Sequence, residues 1–400
     1  MFLLLFIMLF SNVVNGSNYS SLVDNLMSDY NHNIIPLKKN NYLNLTIGMA
    51  LRSLNKIDQM DGTLNANIWL RYWWKDEFLT WVPNEWDNIT NIVLYTDIDQ
   101  TNIIWTPDIY LYNTAEKPMD GLEYSRAIVN YDGIVTWSRP GIIQSTCIFD
   151  LTHFPYDKQI CLFKFGSWSY SGKTLKLEID NNNLDISNYQ NHEEWRLFNH
   201  SVNLNIQVYD CCPDPYYDIT FSVTLVRKPD FYVSNVIVPT FATASLMLIS
   251  LLIPWDSGER ISFVITVMLS IIVFLLLLSE NIPKSNKEPL LSRMIIGLVF
   301  FSLTVVFVTV FLSYMRSYKY GKNKYIDKFL KYFNICKGDD INNNINNNLR
   351  RSNSYVNTVT ETIEEECQKK SDKIEFIFSI IFVISFIVFC FVVNIIRPEY

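Results

Sequence analysis

The sequence has few of the residues on which enzyme active sites depend. It holds four histidines, His32, His153, His192 and His200, which are scattered along the chain, and it has no glycine-rich phosphate-binding loop. Neither a Ser-His-Asp arrangement nor a metal-ligand spacing stands out. Lysine and arginine form no basic stripe in a chain of net charge -7, so nucleic-acid binding is not indicated. We therefore expect a protein that is not an enzyme and uses no metal or other cofactor.

Apolar residues are unevenly distributed and divide the chain into a polar half and a membrane half. Residues 1–16 form a short apolar run that ends in small or polar residues, which is typical of a secretory signal peptide. Four longer apolar segments occur later, each long enough to span a bilayer as a helix. These segments are 231–253, 261–279, 294–313 and 374–396.

The charges around these segments predict a topology. Residues 316–373, between the third and fourth apolar segments, carry basic residues near both ends, which places this loop in the cytosol. Four spans then leave residues 397–400 outside the cell, on the same side as the N-terminal half. We expect a multi-pass protein of the plasma membrane.

Residues 17–230 are predicted to form an extracellular all-β sandwich of immunoglobulin-like type. Tyr19 to Tyr30 has apolar residues at helical spacing, and from Tyr42 onward short alternating runs are separated by Asn, Asp, Gly and Pro turns. Four cysteines in this half permit two disulfides. Four Asn-x-Ser/Thr triplets are candidate glycosylation sites, at Asn18, Asn44, Asn88 and Asn199.

The second apolar segment has an uneven helical face. Small polar residues, then apolar residues, then a carboxylate recur at steps of three and four, and a second carboxylate, Glu259, precedes them. The recurring residues are Ser262, Thr266, Leu269, Val273, Leu276 or Leu277, and Glu280. Several copies around an axis would form a pore with acidic mouths and a hydrophobic constriction. The segment alone is also compatible with an ordinary helix of a transmembrane bundle, in which the Ser and Thr hydroxyls hydrogen-bond to the backbone of the same helix.

A specific signature lies between Cys147 and Cys161, which are separated by thirteen residues that include Phe-Pro-Tyr-Asp at 154–157. It resembles the disulfide loop of the Cys-loop pentameric ligand-gated ion channels, and the resemblance covers nearly the whole chain in order. It implies a Cys147–Cys161 disulfide that stiffens the loop, with Pro155 fixing its turn. It also implies a pentameric channel subunit, with the sandwich followed by a four-helix transmembrane bundle. In this family the loop lies against the membrane domain and relays binding to the pore.

The adjacent pair Cys211-Cys212 resembles the principal, or alpha-type, subunit of nicotinic acetylcholine receptors, and implies a second disulfide. Aromatic residues match the family's ligand-binding positions on two faces. The principal-face residues are Tyr112, Trp168, Tyr209 and Tyr216, with Tyr217 as the alternative to Tyr216. The complementary-face residue is Trp69, on the face that a neighbouring subunit supplies. A quaternary ammonium cannot donate hydrogen bonds and is best held by π faces. The implied ligand is acetylcholine or a related quaternary amine.

The resemblance also assigns the uneven helix to the family's pore lining. It matches Glu259 to an inner carboxylate ring, Leu269 to a central leucine ring and Glu280 to an outer ring. The Pro-Ala insertion usual in anion-selective members is missing before Arg260, which favours cation selectivity. The implied partners are sister subunits in a homo- or heteropentamer, membrane lipid and permeant cations, at a postsynaptic membrane.

The sequence departs from the family pattern at the residues that couple binding to the pore. Gln59 stands where the family often has a Glu that pairs with the arginine before the first span, here Arg227, and Asp58 is the candidate substitute. The segment from Pro283 to Met294 is also shorter than in familiar members. These departures keep two alternatives open: a non-conducting or auxiliary subunit, and a channel of the same fold gated by another amine.

Overall fold

The computed structural model describes residues 16–97, 103–115, 121–254, 258–281, 289–317, 372–373 and 376–388. The chain divides into two units, one formed by residues 1–150 and 157–228 and the other by residues 151–156 and 229–400. Residues 1–15, Pro283, most of the predicted cytosolic loop and residues 397–400 lie outside the described residues.

The first unit begins with a helix, α1, at Gly16–Met27, and continues with strands and one short 3-10 helix, Pro83–Glu85. The strands are β1 (Leu43–Asp58), β2 (Thr63–Lys75), β3 (Asn91–Leu94), β4 (Ile109–Leu111), β5 (Ala127–Asn130), β6 (Ile134–Thr146), β7 (Lys158–Ser167), β8 (Leu175–Asp185), β9 (Trp195–Tyr209) and β10 (Cys212–Arg227). The helical spacing of apolar residues predicts a helix that extends to Tyr30, but helix α1 ends at Met27. The Tyr30 hydroxyl instead donates to the Asp76 carboxylate at 2.6 Å and accepts from the Trp105 backbone N–H at 3.1 Å.

The described strands form two sheets, one in the order β3-β5-β6-β2-β1-β8 and the other in the order β4-β7-β10-β9. Alternating apolar residues on β2, from Leu64 to Trp74, are buried, because successive side chains of a strand point to opposite faces. Tyr72 stacks on Trp137 at 5.1 Å between ring centroids in this core. The predicted fold class, an extracellular β-sandwich with an N-terminal helix followed by transmembrane helices, is confirmed.

Within the described residues of the second unit, three helices are long and apolar enough to cross a membrane: Asp230–Leu252, Arg260–Glu280 and Leu290–Tyr314. We call them the first, second and third membrane helices. A shorter apolar helix, Phe376–Val388, lies in the fourth predicted segment. The first membrane helix contains a π-helical stretch, Val233–Ile237, just before Pro239. Because proline lacks a backbone N–H and cannot close a normal helical turn, an irregular stretch at this point is expected.

The third membrane helix starts earlier than hydropathy predicts. Its helical conformation extends over Leu290–Ser317, and the Leu290 backbone N–H donates to the carbonyl of Thr152 at 2.9 Å. The helices pack through buried side chains at helical spacing, such as Val264 and Val267 of the second helix and Val305 of the third. One face of the second membrane helix is therefore buried within the unit.

Candidate functional site

Two aromatic side chains meet where strands β4 and β7 end. The strands pair antiparallel over three residues, from Ile109 opposite Ser167 to Leu111 opposite Phe165, so Tyr112 and Trp168 lie at the two ends of this short ladder. Their ring centroids are 6.4 Å apart, with ring planes at 74°. The Tyr112 hydroxyl donates a 2.6 Å hydrogen bond to the carbonyl of Ser167. Trp168 is 64% exposed, so most of its ring is open to a ligand.

A second aromatic pair flanks the tip of the β9–β10 hairpin. Cys211 and Cys212 form the predicted disulfide at this tip. The rings of Tyr209 and Tyr216 meet edge to face at 5.9 Å between centroids. Tyr217, the alternative to Tyr216, packs instead against the sandwich core. The hairpin thus pairs Tyr209 with Tyr216.

The two aromatic pairs share one electrostatic environment. Burial raises the pKa of the Tyr112 phenol, and the ionisable groups of Tyr209, Asp218, Asp108 and Tyr216 raise it further. Tyr112 is therefore a neutral phenol at neutral pH, which keeps its hydroxyl proton available for Ser167. The structure thus shows two ring pairs, Tyr112 with Trp168 and Tyr209 with Tyr216, and the second pair raises the pKa of the Tyr112 phenol.

Asp108 anchors the Trp168 loop and was missed by the sequence analysis. Its carboxylate accepts hydrogen bonds from the Ser167 hydroxyl at 2.6 Å and from the Ser169 backbone N–H at 2.7 Å. Its carbonyl accepts from the Trp168 backbone N–H at 3.3 Å. The available signal was its place in the stretch from Trp105 to Asn113, which also holds Tyr112.

A buried carboxylate behind the aromatic residues was also missed. Asp218 forms an ion pair with Lys164 at 3.2 Å and accepts hydrogen bonds from Asn205 at 2.7 Å and Thr220 at 3.0 Å. The Lys164 ammonium group lies 5.9 Å from the centroid of the Tyr112 ring. No local motif signals this network, since its members come from three strands, β7, β9 and β10.

Trp69 lies in the other sheet, on β2, and its side chain is 39% exposed. Among the described residues its ring makes no aromatic contact with the four principal-face residues of the same chain. It contacts Arg52 instead, whose guanidinium carbon lies 4.4 Å from the ring centroid.

The predicted partner of Arg227 is corrected by the structure. The buried Arg227 guanidinium pairs with Asp157, at 2.6 and 3.0 Å, and with Glu194. Asp58 instead pairs with Lys56 at 2.7 Å and accepts from the backbone N–H groups of Met60 and Asp61. The expectation that Asp58 replaces the missing acid is wrong, because Asp58 closes the β1–β2 turn. The hydrogen bond from Lys56 lowers the pKa of Asp58.

The tip of the Cys147–Cys161 loop belongs to the second unit. The predicted disulfide at its base is formed, and Pro155 is buried and follows a cis peptide bond. The Phe154 ring meets the Tyr232 ring of the first membrane helix edge to face at 4.7 Å. This loop tip therefore packs with the start of the first membrane helix and, through Thr152, with the start of the third.

In the part of the chain that the structure describes, the predicted pore-lining residues lie on or next to an exposed face of the second membrane helix. Leu269 is 59% exposed, and the other predicted pore residues are exposed as well: Glu259, Ser262, Thr266, Val273, Leu276, Leu277 and Glu280. The Thr266 hydroxyl donates to the Ser262 carbonyl at 2.8 Å. The Thr266 hydroxyl thus bonds back to the backbone, as in an ordinary bundle helix, but on a face that the described residues leave exposed.

Three candidate glycosylation residues are exposed on the sandwich: Asn44, Asn88 and Asn199. The side-chain amide of the fourth, Asn18, donates to the Asp87 carboxylate at 2.6 Å. A glycan on Asn18 would replace one hydrogen of that amide.

Comparison with known proteins gives two family matches. Residues 19–229 match the neurotransmitter-gated ion-channel ligand binding domain, and residues 236–373 match the neurotransmitter-gated ion-channel transmembrane region. Neuronal acetylcholine receptor subunit alpha-6 of Mus musculus is 34% identical over 309 residues, which cover 76% of this chain and 61% of that protein.

Two further relatives are subunits of the same kind. Neuronal acetylcholine receptor subunit alpha-9 of Rattus norvegicus is 32% identical over 280 residues, 70% of this chain and 57% of that protein. Subunit alpha-9-II of Oncorhynchus mykiss is 31% identical over 298 residues, 74% of this chain and 53% of that protein. The aligned part of the chain thus spans about half to three fifths of these relatives' length. The chain belongs to the Cys-loop family of neurotransmitter-gated ion channels, a family of channels and not of enzymes, as a nicotinic acetylcholine receptor alpha-type member.

Proposed function

We propose that this chain is the principal subunit of a cation-selective pentameric channel in the plasma membrane, opened by acetylcholine or a related quaternary amine. The observation that carries the proposal is the two aromatic pairs, Tyr112 with Trp168 and Tyr209 with Tyr216, the second of which flanks the Cys211–Cys212 hairpin tip. We call this group the aromatic box. It is an arrangement suited to a cation that has no hydrogen to donate, since each π face stabilises such a cation by about 0.5–2 kcal/mol.

The charges around the aromatic box favour a quaternary over a primary amine. The two carboxylates that act on the Tyr112 phenol already have partners: Asp108 accepts from Ser167 and Ser169, and Asp218 pairs with Lys164 and accepts from Asn205. A primary ammonium needs acceptors to replace its lost water hydrogen bonds, whereas a quaternary ammonium does not. The box therefore selects through its π faces, with Asp108 and Asp218 held by other partners.

A neighbouring subunit completes the site. Trp69 lies on β2, away from the box of its own chain, so a tryptophan at this position reaches a box only across a subunit interface. The implied partners are sister subunits in a homo- or heteropentamer.

The second membrane helix supplies the pore. Its uncovered face carries Leu269 and Val273, with Glu259 and Glu280 near its ends. Five copies would form rings of carboxylates that concentrate cations and apolar rings that close the pore by excluding water. Membrane lipid would contact the remaining exposed apolar surface of the bundle.

Strand β10 connects the two functions along the chain. It begins at Cys212, within the hairpin that bears Tyr216, and ends at Arg227, three residues before the first membrane helix begins at Asp230. We propose that closure of the hairpin over the ligand moves β10 and that the Arg227–Asp157–Glu194 cluster passes this movement to the residues that follow. The segment with Pro283 is assigned to the receiving side by resemblance.

The function is tested by recording currents from cells that express the full chain alone and with sister subunits. Acetylcholine is expected to evoke a current whose reversal potential shifts when external sodium is replaced by a large organic cation, and not when chloride is replaced. Glu259→Gln should weaken this cation preference, while Glu85→Gln, a change on the exposed 3-10 helix, should not. Surface delivery without current would identify an auxiliary subunit, and a chloride-dependent reversal potential would contradict the proposal.

A further inference from the structure

The π face of Trp69 is already covered by a cation of the same chain. The guanidinium carbon of Arg52 lies 4.4 Å from the centroid of the Trp69 ring, within the range of a cation–π interaction. Trp69 nevertheless remains 39% exposed, so the pair lies at the surface of the six-stranded sheet. No carboxylate in the described part of the chain lies within salt-bridge distance of Arg52.

A β-bulge puts Arg52 in this position. In the pairing of β1 with β2, Leu51 lies opposite Ile68 and Ser53 opposite Asn67, so Arg52 is the extra residue of β1. Bulges commonly re-aim a side chain in this way. The Arg52 carbonyl also accepts a hydrogen bond from the Gln190 backbone N–H at 2.8 Å, which holds the bulge in place.

The cross-strand neighbours of Trp69 leave its ring accessible to Arg52. Trp69 lies opposite Ala50 on β1 and opposite Pro140 on β6, and neither side chain is long enough to extend over an indole ring. The next outward residue of β2, Arg71, is directed elsewhere, since it forms an ion pair with Asp185 at 3.0 Å. Of these two arginines, Arg52 thus brings an uncompensated positive charge to Trp69.

The principal face differs from the complementary face because its tryptophan, Trp168, is not covered by a cation of the described residues. Among the described residues no cation lies over the Trp168 ring, and Lys164, whose ammonium group lies 5.9 Å from the centroid of the Tyr112 ring, is held by Asp218. A quaternary ammonium can therefore approach Trp168 without displacing a cation. At Trp69 it would have to displace the guanidinium group of Arg52 and then remain beside its charge, because two like charges on one π face repel each other.

We infer that Arg52 is a specificity-determining residue that closes this chain's complementary face to quaternary ammonium ligands. The chain then contributes its principal face to a site that a sister subunit of different sequence completes, with an uncovered aromatic ring at the position of Trp69. This inference rests on the proposed function and names the partner that the aromatic box requires.

The test uses two full copies of the chain joined in tandem, so that the aromatic box of one copy faces Trp69 of the other. Binding of radiolabelled acetylcholine is measured on membranes for the wild-type pair and for pairs with Arg52→Gln or Arg52→Lys in the complementary copy. Arg52→Gln is expected to tighten binding about tenfold. Arg52→Lys keeps a cation near the ring and is expected to change binding little.

A matched control is Lys176→Gln, which removes the cation lying 3.6 Å from the centroid of the Tyr42 ring, next to the start of β1. It should leave acetylcholine binding unchanged. When the chain is co-expressed with a sister subunit that supplies the complementary face, Arg52→Gln should also have no effect, because Arg52 then lies at another interface.

The inference is overturned if the wild-type tandem pair binds as tightly as the Arg52→Gln pair, or if the Arg52→Gln pair does not bind. Trp168→Ala in the principal copy separates this result from failure of the proposed function. If Trp168→Ala abolishes binding while Arg52→Gln changes nothing, only the role of Arg52 is rejected. If binding persists after Trp168→Ala, the aromatic box itself is rejected.

Discussion

Tyr112 and Trp168 meet edge to face, with ring centroids 6.4 Å apart, across the short antiparallel ladder of β4 and β7, which places one residue at each of its ends. The Tyr112 hydroxyl fastens this contact to the carbonyl of Ser167, the residue before Trp168. The distance between the two rings is thus set by sheet register and backbone hydrogen bonds. Residues that fix the Trp168 loop should therefore affect ligand affinity even without touching the ligand.

Asp108→Asn should weaken acetylcholine binding about tenfold, the effect of losing one hydrogen bond to a charged acceptor. The asparagine amide retains only one of the two carboxylate oxygens that accept from Ser167 and Ser169. Competition binding on surface-expressed receptor measures the change. Asp132→Asn is the control, since Asp132 accepts from the Ile134 backbone N–H in a turn at the start of β6. Equal affinity in both variants would refute the anchoring role of Asp108.

Asp157→Asn should lower the free energy of unfolding by about 3 kcal/mol, near the lower end for breaking a buried ion pair because Glu194 still neutralises Arg227. Lys56→Met breaks a pair whose lysine is 67% exposed and should change the stability much less, because water screens an exposed ion pair. Thermal unfolding of the purified chain in detergent compares the two midpoints. A shift for Lys56→Met as large as that for Asp157→Asn would show that burial does not set the strength of the Arg227 pair.

Leu269→Ser should lower the acetylcholine concentration for half-maximal current about tenfold. A polar side chain in an apolar ring weakens the exclusion of water that keeps the pore closed, and a tenfold change corresponds to about 1.4 kcal/mol in the gating equilibrium. The control is Leu303→Ser on the third membrane helix, where the side chain is also exposed. If only Leu303→Ser alters the response, the pore face is assigned to the wrong helix.

Acid should destabilise the Arg227 cluster through His192. The His192 Nδ1 atom accepts hydrogen bonds from the backbone N–H groups of Glu194 at 3.1 Å and Trp195 at 3.2 Å, which only a neutral imidazole can do. Burial lowers the pKa of His192, and Lys228 lowers it further, while Glu194 and Glu193 oppose the shift. Glu194 pairs with Arg227, and the Arg227 guanidinium lies over the Trp195 ring.

The direction of the pH effect follows from that lowered pKa. Below about pH 6.5 the unfolded chain takes up a proton at His192 that the folded chain does not yet bind, so stability is lost as the pH falls toward the folded pKa. Stability is unaffected by this group at higher pH. The unfolding midpoint should therefore fall as the pH drops below about 6.5 in the wild type and fall less in His192→Asn, whose Oδ1 atom accepts without titrating. Parallel pH profiles would exclude His192 as the titrating group.

Features governed by local periodicity could be predicted from the sequence. The alternating residues of β2 and the apolar stretches of the membrane helices predict the sandwich and the bundle, because each face of an element has one environment. The ends of helices are predicted less well from periodicity, because they depend on backbone hydrogen bonds to other segments. The third membrane helix begins at Leu290, where the backbone bonds to Thr152, whereas hydropathy detects only its more apolar part.

Contacts set by tertiary structure could not be predicted. Proximity in sequence to Gln59 suggested Asp58 as the partner of Arg227, but that carboxylate closes its own turn, and the acids come from Asp157 and Glu194. The bulge at Arg52 likewise leaves no mark in the alternating pattern of β1, since arginine at that position reads as an ordinary outward residue. Both cases depend on how strands are aligned with each other.

The most direct test of the account is the acetylcholine response after the indole of Trp168 is removed. In cells that express the chain with sister subunits, we predict that acetylcholine evokes a cation current, that Trp168→Ala raises the half-maximal concentration at least about tenfold, and that Trp168→Phe raises it less. Surface expression of each variant is measured in parallel. An acetylcholine response unchanged by Trp168→Ala at equal surface expression would contradict the account.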